Sequence, residues 1–141
     1  GEWKDGLQHG YGKYTSPNVF FYEGDWKYGN PHGEGTRNFS NGDMYEGEWK
    51  DDNQNGYGKY TWDDGHVYEG EWKEGNKYGY GKIVDNGYVY EGEWKDDVAD
   101  GYGKLTWPDG NIFIGEWSNG KIRKEFRKEP NGNITITKNF N

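Results

Sequence analysis

Three histidines are the residues of this sequence best suited to bind a metal ion. His9 and His32 stand six residues after Trp3 and Trp26, so they occupy equivalent places in two neighbouring segments about 10 Å apart. Zinc needs its ligands at about 2.0–2.1 Å from one shared ion. We therefore expect turn-side histidines without a metal, and His66, which follows a turn dipeptide, has no partner in the pattern.

Carboxylates and paired glycines suggest two kinds of catalytic chemistry, and neither pattern is complete. The 25 Asp and Glu residues alternate with apolar positions, whereas a glycosidase needs two positioned carboxyl groups. Gly56-Tyr57-Gly58 belongs to no G-x-x-x-x-G-K-S/T motif and precedes no helical pattern, so it does not predict a phosphate-binding loop. We expect no catalytic residue, no cofactor and no metal, and hence a protein that is not an enzyme.

A repeat of 23 residues organises the chain. Its tryptophans recur at positions 3, 26, 49, 72, 94 and 117, with spacings of 23, 23, 23, 22 and 23. A glycine stands two residues before each tryptophan, and a glycine pair follows at seven and nine residues after it, except in the last unit. This periodicity predicts a solenoid of small units that contact mainly their neighbours.

Residues 45–61 of the central unit, YEGEWKDDNQNGYGKYT, predict one β-hairpin. Apolar and charged residues alternate in YEGEWK, which is the period of a strand with one buried face. The run DDNQN at 51–55 predicts the turn. Each unit after the first also ends in Asn-Gly or Asp-Gly, which predicts two-residue turns at 41–42, 64–65, 86–87, 109–110 and 131–132.

The predicted register of this hairpin pairs Trp49 with Gly56. A glycine leaves room for the indole to lie over the backbone and to reach the neighbouring hairpin. The same register places an opposite-charge pair on the other face of the sheet. Its remaining pairs are Tyr45 with Tyr60, Glu46 with Lys59, and Gly47 with Gly58.

Composition limits both the fold and the partners. The 141 residues are 30% hydrophobic and 19% aromatic, contain no cysteine and carry a net charge of −8. We expect one domain, no disulfide and a cytoplasmic location, with aromatic rings supplying most of the buried apolar area. Residues 121–141 carry +4, which leaves −12 on residues 1–120. An acidic body argues against nucleic-acid binding.

The segments YEGEWKDDNQNGYGKYTWDDGHVYEGEW and YEGEWKDDVADGYGKLTWPDGNIFIGEW closely resemble MORN repeats, the membrane occupation and recognition nexus family. The resemblance covers about residues 1–120 and implies an all-β fold, an elongated single-layer antiparallel sheet of about six tandem hairpins. The first unit lacks its leading aromatic residue, so we expect a fragment of a longer array. The predicted units are 1–21, 22–44, 45–67, 68–89, 90–112 and a degenerate sixth from 113, before a basic C-terminal cap at 121–141.

The resemblance also implies a function. Members of the family act as scaffolds for protein partners, organise membrane-associated structures, and in some cases self-associate. We therefore expect a cytoplasmic scaffold, located at cytoskeletal or membrane-associated structures, that binds a peptide or a helix of a protein partner, or a second copy of itself as a homodimer.

Two rows of aromatic residues are candidate partner-binding surfaces. The first row is primarily the core, but a single layer should leave ring edges exposed along a groove; it consists of Tyr22, Trp26, Tyr45, Trp49, Tyr68, Trp72, Tyr90, Trp94, Phe113 and Trp117. The second row stands eight residues after the tryptophans, on the opposite face. It is either packing filler or an alternative partner surface, and it consists of Tyr11, Tyr57, Tyr80 and Tyr102, interrupted by Glu34.

The basic tail suggests an alternative function as a peripheral membrane adaptor. A polybasic segment contributes about 1 kcal/mol per charge near anionic phospholipid, and the candidate lipid contacts are Lys121, Arg123, Lys124, Arg127 and Lys128. A solubilising cap is the competing interpretation. The acidic body would oppose approach to the membrane within a Debye length of about 8 Å.

Overall fold

The computed structural model describes residues 2–4, 6–16, 20–128, 130–132 and 134–136, with side chains for these ranges except residues 2, 20, 124–128 and 134–136. The chain divides into two compact units, Gly1–Gly75 and Asn76–Asn141. Every regular element in the described ranges is a β-strand. The predicted all-β fold of antiparallel hairpins is therefore confirmed. Across those same ranges, no helix has the length and hydropathy that crossing a bilayer requires.

Each unit is an antiparallel meander in which every strand pairs with the next strand of that unit. Unit 1 contains β1 (Glu2–Lys4), β2 (Leu7–Ser16), β3 (Phe20–Lys27), β4 (Asn30–Phe39), β5 (Met44–Lys50), β6 (Asn53–Thr61) and β7 (Val67–Lys73). Unit 2 contains β8 (Asn76–Asp85), β9 (Tyr88–Lys95), β10 (Val98–Thr106), β11 (Ile112–Ser118), β12 (Lys121–Lys128) and β13 (Ile134–Ile136). Short connections favour this arrangement, since an antiparallel neighbour can be reached by a tight turn.

The hairpin of β5 and β6 has most of the predicted register. The confirmed pairs are Tyr45 with Tyr60, Glu46 with Lys59, and Gly47 with Gly58. The predicted pair of Trp49 and Gly56 is wrong, because Trp49 lies opposite Gln54. Gly56 lies opposite Trp72 of β7 instead, so a glycine does face a tryptophan, but in the following repeat.

A bulge in β6 is the physical reason for this difference. The segment 55–57 lies opposite the single residue Glu48 of β5. Gly56 has a φ of +93°, a conformation that glycine adopts without a steric penalty. The Glu48 carboxylate accepts a hydrogen bond from the Tyr57 N–H inside the bulge. The same contact recurs from Glu34 N to Asp25 (3.0 Å) and from Tyr102 N to Glu93 (2.6 Å).

The turns differ from the prediction in length. The turn after β5 consists of Asp51 and Asp52 alone, with φ of +47° and +70°, as in a type I′ turn, and residue 53 already belongs to β6. The predicted two-residue turn at 86–87 is confirmed, with both φ values positive. The predictions at 41–42, 64–65 and 109–110 are wrong because these dipeptides lie in connections of four or five residues. The connection that contains 131–132 includes positions outside the described residues.

Side-chain hydrogen bonds explain the longer connections. The acceptor oxygen of the Asn or Asp binds the backbone N–H two residues later, which stabilises an Asx turn in place of a tight hairpin. The bonds run from Asp43 N to Asn41 (2.9 Å), from His66 N to Asp64 (3.1 Å) and from Asn111 N to Asp109 (2.9 Å).

The core of unit 1 consists of tyrosine and tryptophan rings in edge-to-face contact. Trp49 lies between Tyr45 and Tyr22, with ring-centre distances of 4.9 and 5.6 Å. Its indole N–H donates to the Gly35 carbonyl on β4 at 3.0 Å, and the Tyr45 hydroxyl donates to the Glu48 carbonyl at 2.9 Å. These contacts satisfy the polar atoms of the buried rings, which would otherwise oppose burial.

Unit 2 repeats this packing. The Tyr90 ring contacts the rings of Trp94 and Trp117, each at a centre distance of 5.2 Å. The indole N–H of Trp94 donates to the Gly81 carbonyl at 3.1 Å. The repeat therefore specifies the same core in both units.

Candidate binding surfaces

The predicted groove row forms the core of the sheet. Tyr22, Tyr45 and Tyr68 have no exposed surface, so a partner cannot contact their rings. Trp26, Trp49, Trp72, Tyr90 and Trp117 are also buried, whereas Trp94 and Phe113 are half-buried. Partner contact through this row is thus restricted to a few ring edges, because the rings cover one another.

An apolar groove lies beside this core in unit 1. It has a volume of about 390 Å³, and its apolar lining consists of Trp3, Leu7, Tyr14, Trp26 and Pro31; we call these five residues the apolar groove. Leu7 and Tyr14 are 46% and 43% exposed, while Trp26 and Pro31 are buried. The groove therefore combines a fixed floor with accessible apolar walls.

A charged pair stands at the margin of the apolar groove. The Arg37 guanidinium lies 4.8 Å from the ring centre of Trp49 and forms an ion pair with Asp52 at 3.0 Å. Cation–π contact and the planar guanidinium suit such a half-buried position. Asp52 neutralises the charge of Arg37. Arg37 therefore contributes to the lining of the groove without adding net charge.

Sequence reasoning missed Tyr14 and Arg37, although a signal was present. Tyr14, Arg37 and Tyr60 each stand 11 residues after the tryptophan of their repeat. They continue the alternation of the glycine pair, so they point to the same face as the core rings. The register agrees, since Tyr14 lies opposite Tyr22.

The second aromatic row lies in solvent on the opposite face. Tyr11, Tyr57, Tyr80 and Tyr102 are all more than half exposed. The Tyr57 hydroxyl donates to Glu69 at 2.6 Å, and the Tyr11 hydroxyl donates to Glu23. These bonds to carboxylates raise the pKa of both phenols. Sheet packing within either unit leaves the four rings accessible to a partner.

Asp43 is a buried carboxylate that connects neighbouring turns. It accepts hydrogen bonds from the Tyr60 hydroxyl (2.7 Å), the Asp63 N–H (2.8 Å) and the Asn41 amide (3.2 Å). Desolvation alone would raise its pKa, but these three donors outweigh it, and the pKa of Asp43 lies below its usual value. Its role is structural, since every contact it makes stabilises a connection between strands.

The histidines stand near turns. His9 packs against the ring of Tyr28 at 5.4 Å. The Nδ1 atom of His32 lies 3.8 Å from Asp51, and His66 contacts Asp64. In the part of the chain that the structure describes, no group of three His, Cys, Asp or Glu side chains is arranged to hold a metal ion.

The predicted lipid-contact residues lie on β12, which pairs with β11. Lys121 is exposed and Arg123 is half-buried. The backbone places Lys124 opposite Glu116, Arg127 opposite Phe113 and Lys128 opposite Ile112. The side chains of these last three residues lie outside the described ones.

Comparison with known families agrees with the repeat architecture. The profile described as MORN repeat matches six segments, residues 1–18, 22–44, 45–67, 68–86, 90–112 and 113–122. No curated protein matches the chain. MORN repeats are a non-catalytic repeat type that is generally associated with protein or membrane binding. Because the matched segments cover most of its length, the chain belongs to the MORN-repeat family.

Proposed function

We propose that this protein is a non-enzymatic scaffold that binds a segment of a protein partner in the apolar groove of unit 1. One observation carries the proposal: Leu7 and Tyr14 expose apolar surface around a cavity of about 390 Å³. That volume lies within the range of about 300–1,000 Å³ typical of ligand pockets. Accessible apolar side chains around a rigid floor are the usual anchors of a protein interface.

The chemistry of the lining indicates the occupant. Leu7, Tyr14 and Pro31 offer apolar contact, and the nearby Arg37–Asp52 ion pair is already formed. A peptide or helix with apolar anchor side chains would displace water from Leu7 and Tyr14 without separating the ion pair. Separating a half-buried pair would oppose binding, since each charge would lose its partner.

The experiment uses peptides selected from a displayed random library against the full chain. Leu7→Asp combined with Tyr14→Asp places charge in the groove while leaving the buried rings intact. We expect the selected peptides to bind this double variant at least about tenfold more weakly, or about 1.4 kcal/mol. The matched control is Ile114→Asp, which changes a residue of equal exposure, 46%, in unit 2.

Equal affinity of the peptides for wild type and for a folded double variant would contradict the proposal. Light scattering distinguishes a second copy of the chain, because a dimer dissociated by the groove variant would make the partner a homodimer subunit. The membrane alternative predicts salt-sensitive flotation with phosphatidylserine vesicles that Lys121→Glu and Arg123→Glu together abolish. No described contact favours that alternative over the groove.

A further inference from the structure

The solvent-facing side of unit 1 carries two rows of side chains that cross the strands. One row contains the exposed tyrosines, and the other contains the lysines that follow them by two residues. By register, the first row is Tyr11, Asp25, Glu34, Glu48, Tyr57 and Glu71, and the second is Lys13, Glu23, Thr36, Glu46, Lys59 and Glu69. We call these two rows the tyrosine face of unit 1.

The tyrosine face is strongly acidic. Its two rows hold seven carboxylates and two lysines, Lys13 and Lys59. Lys27, Lys50 and Lys73 border the rows at the turn end of the strands. The negative charge is therefore concentrated in the middle of the sheet, where the exposed rings also lie. A concentrated field of one sign favours a partner of the opposite sign.

The repeat departs from its pattern twice at one place on this face. The second repeat has Glu34 where the first and third have Tyr11 and Tyr57. It also has Thr36 where they have a lysine, so a ring and a cation are lost together. A depression of about 390 Å³ lies there, lined by glycine backbone and by the side chains of Tyr11, Phe21, Glu23, Glu34, Thr36 and Glu46; we call it the acidic notch.

The acidic notch is an unfavourable arrangement for the isolated sheet. Glu34 lies opposite Glu48, and like charges directly opposite each other destabilise a strand pair. Thr36 lies between Glu23 and Glu46. The equivalent residue of the next repeat is Lys59, whose positive charge separates Glu46 from Glu69. Neither Glu34 nor Glu46 forms an ion pair with any described residue. A cation from a partner would relieve this repulsion.

We propose that the tyrosine face of unit 1 binds an extended arginine-rich segment of a partner protein. One guanidinium occupies the acidic notch between Glu34 and its neighbouring carboxylates, and guanidinium groups on either side stack on Tyr11 and Tyr57. Arginine fits better than lysine because its planar group pairs with carboxylates and stacks on aromatic rings. The face is distinct from the apolar groove, so the scaffold can hold two partners at once.

Strand spacing specifies the sequence of the segment. Tyr11, Glu34 and Tyr57 occupy equivalent positions on β2, β4 and β6, and two strand spacings amount to about 10 Å. A peptide in the polyproline II conformation advances about 3.1 Å per residue and has three residues per turn. Every third side chain therefore lies on the same side of the peptide, and three residues span about the same distance. The structure thus specifies arginines at every third position of the bound segment.

The probe is a fluorescent peptide, Arg-Gly-Ser-Arg-Gly-Ser-Arg, measured by anisotropy with the full chain. The matched peptides replace arginine by lysine, or place the three arginines next to one another. We expect the spaced arginine peptide to bind at least about fivefold more tightly than either control. Equal affinities for all three peptides would indicate unspecific attraction to an acidic surface and would overturn the proposal.

The decisive variant restores the ordinary repeat, with Glu34→Tyr and Thr36→Lys together. We expect its free energy of unfolding to equal or exceed that of wild type, since the like-charge pair is gone. We also expect its affinity for the spaced arginine peptide to fall at least about tenfold. Unchanged affinity of this folded variant for the spaced arginine peptide would contradict the proposal.

Two further variants separate this site from the rest of the molecule. Tyr57→Ala should weaken peptide binding several-fold, whereas Tyr102→Ala in unit 2 should not, because both positions of the tyrosine row whose side chains are described in unit 2 are tyrosines, Tyr80 and Tyr102. Leu7→Asp with Tyr14→Asp, which tests the apolar groove, should leave binding of the arginine peptide intact. If Tyr102→Ala weakened binding as much as Tyr57→Ala, the assignment to unit 1 would be wrong.

Discussion

The ring of Tyr45 lies against the backbone of Gly58, with no space for a side chain between them. A Cβ atom at Gly58 would overlap the phenolic oxygen of Tyr45 and would stand 2.7 Å from its Cε2 atom. The same contact occurs between Tyr22 and Gly35 and between Tyr90 and Gly103. The second glycine of these three pairs is therefore part of the core, although it has no side chain to bury.

Gly58→Ala should destabilise the fold substantially. The added methyl group meets a fully buried ring that is fixed by its bond to the Glu48 carbonyl, so the ring cannot move aside. We expect a loss of about 1–3 kcal/mol in the free energy of unfolding, measured by urea denaturation. Asn53→Ala, at an exposed position of the same strand, is the control and should change stability by about 0.5 kcal/mol or less. Equal stability of the two variants would contradict the packing argument.

Trp49→Ala and Trp3→Ala change the same repeat position in different surroundings. Trp49 is 4% exposed and Trp3 is 69% exposed. Removing the buried indole should lower the free energy of unfolding by about 3–5 kcal/mol, whereas removing the exposed one should lower it by about 0.5 kcal/mol or less. Thermal unfolding followed by circular dichroism compares them. A larger effect at Trp3 would show that the ring contacts of Trp49 do not stabilise the sheet.

Asp43→Asn should reduce stability and alter its dependence on acid. The folded pKa of Asp43 lies below its ordinary value of 3.8, so the carboxylate stabilises the fold above that pH. This contribution disappears as the pH falls through the folded value. We expect the free energy of unfolding of the variant to be about 1–3 kcal/mol lower than that of wild type near neutral pH. Measured by urea denaturation at a series of pH values, it should also decrease less steeply in acid. If the free energy of unfolding decreased equally steeply in acid for wild type and variant, Asp43 would be excluded as the cause of that decrease.

Alkaline solution should unfold the protein through its buried phenols. Burial raises the pKa of Tyr22 and Tyr45 well above the ordinary value of 10.0, and raises the pKa of Tyr90 to about 12. Stability should therefore be constant with respect to these groups below pH 10 and should fall as the pH rises through the folded values. Tyrosinate absorbance and circular dichroism, recorded together, should change in the same pH range. Tyr45→Phe should make the loss of stability at alkaline pH less steep. An equally steep loss in this variant would contradict the role of the Tyr45 phenol.

The sequence predicted the parts of the fold that depend on periodicity. Tyr45, Gly47 and Tyr60 could be aligned because apolar and charged residues alternate on both strands. The partner of Trp49 could not be predicted, because a bulge depends on a positive φ at Gly56 and on the Glu48 carboxylate that binds inside it. The sequence shows both residues but not that they meet. An acid before the tryptophan of each repeat was the available signal.

The candidate surfaces likewise include features that periodicity predicts and features that only the structure reveals. Exposure of Tyr57 follows from its alternation with the glycines. The full burial of Tyr45 could not be derived in this way, because it requires Trp49 and Trp72 to meet the ring from two repeats. The apolar groove depends on where Leu7 and Pro31 converge in space, and the acidic notch depends on a register that places Glu34 opposite Glu48.

The indole bonds of unit 1 have an evolutionary consequence. Trp49 donates to Gly35 at 3.0 Å and Trp72 donates to Gly58 at 3.1 Å, so each donor finds its acceptor one repeat earlier. Deleting residues 45–67 in frame would bring Trp72 to Gly35 and re-create the same bond. Gene duplication or loss of one 23-residue module in unit 1 would therefore change the number of repeats and re-create this bond at the new junction, so that selection can vary the number of repeats without redesigning their interior.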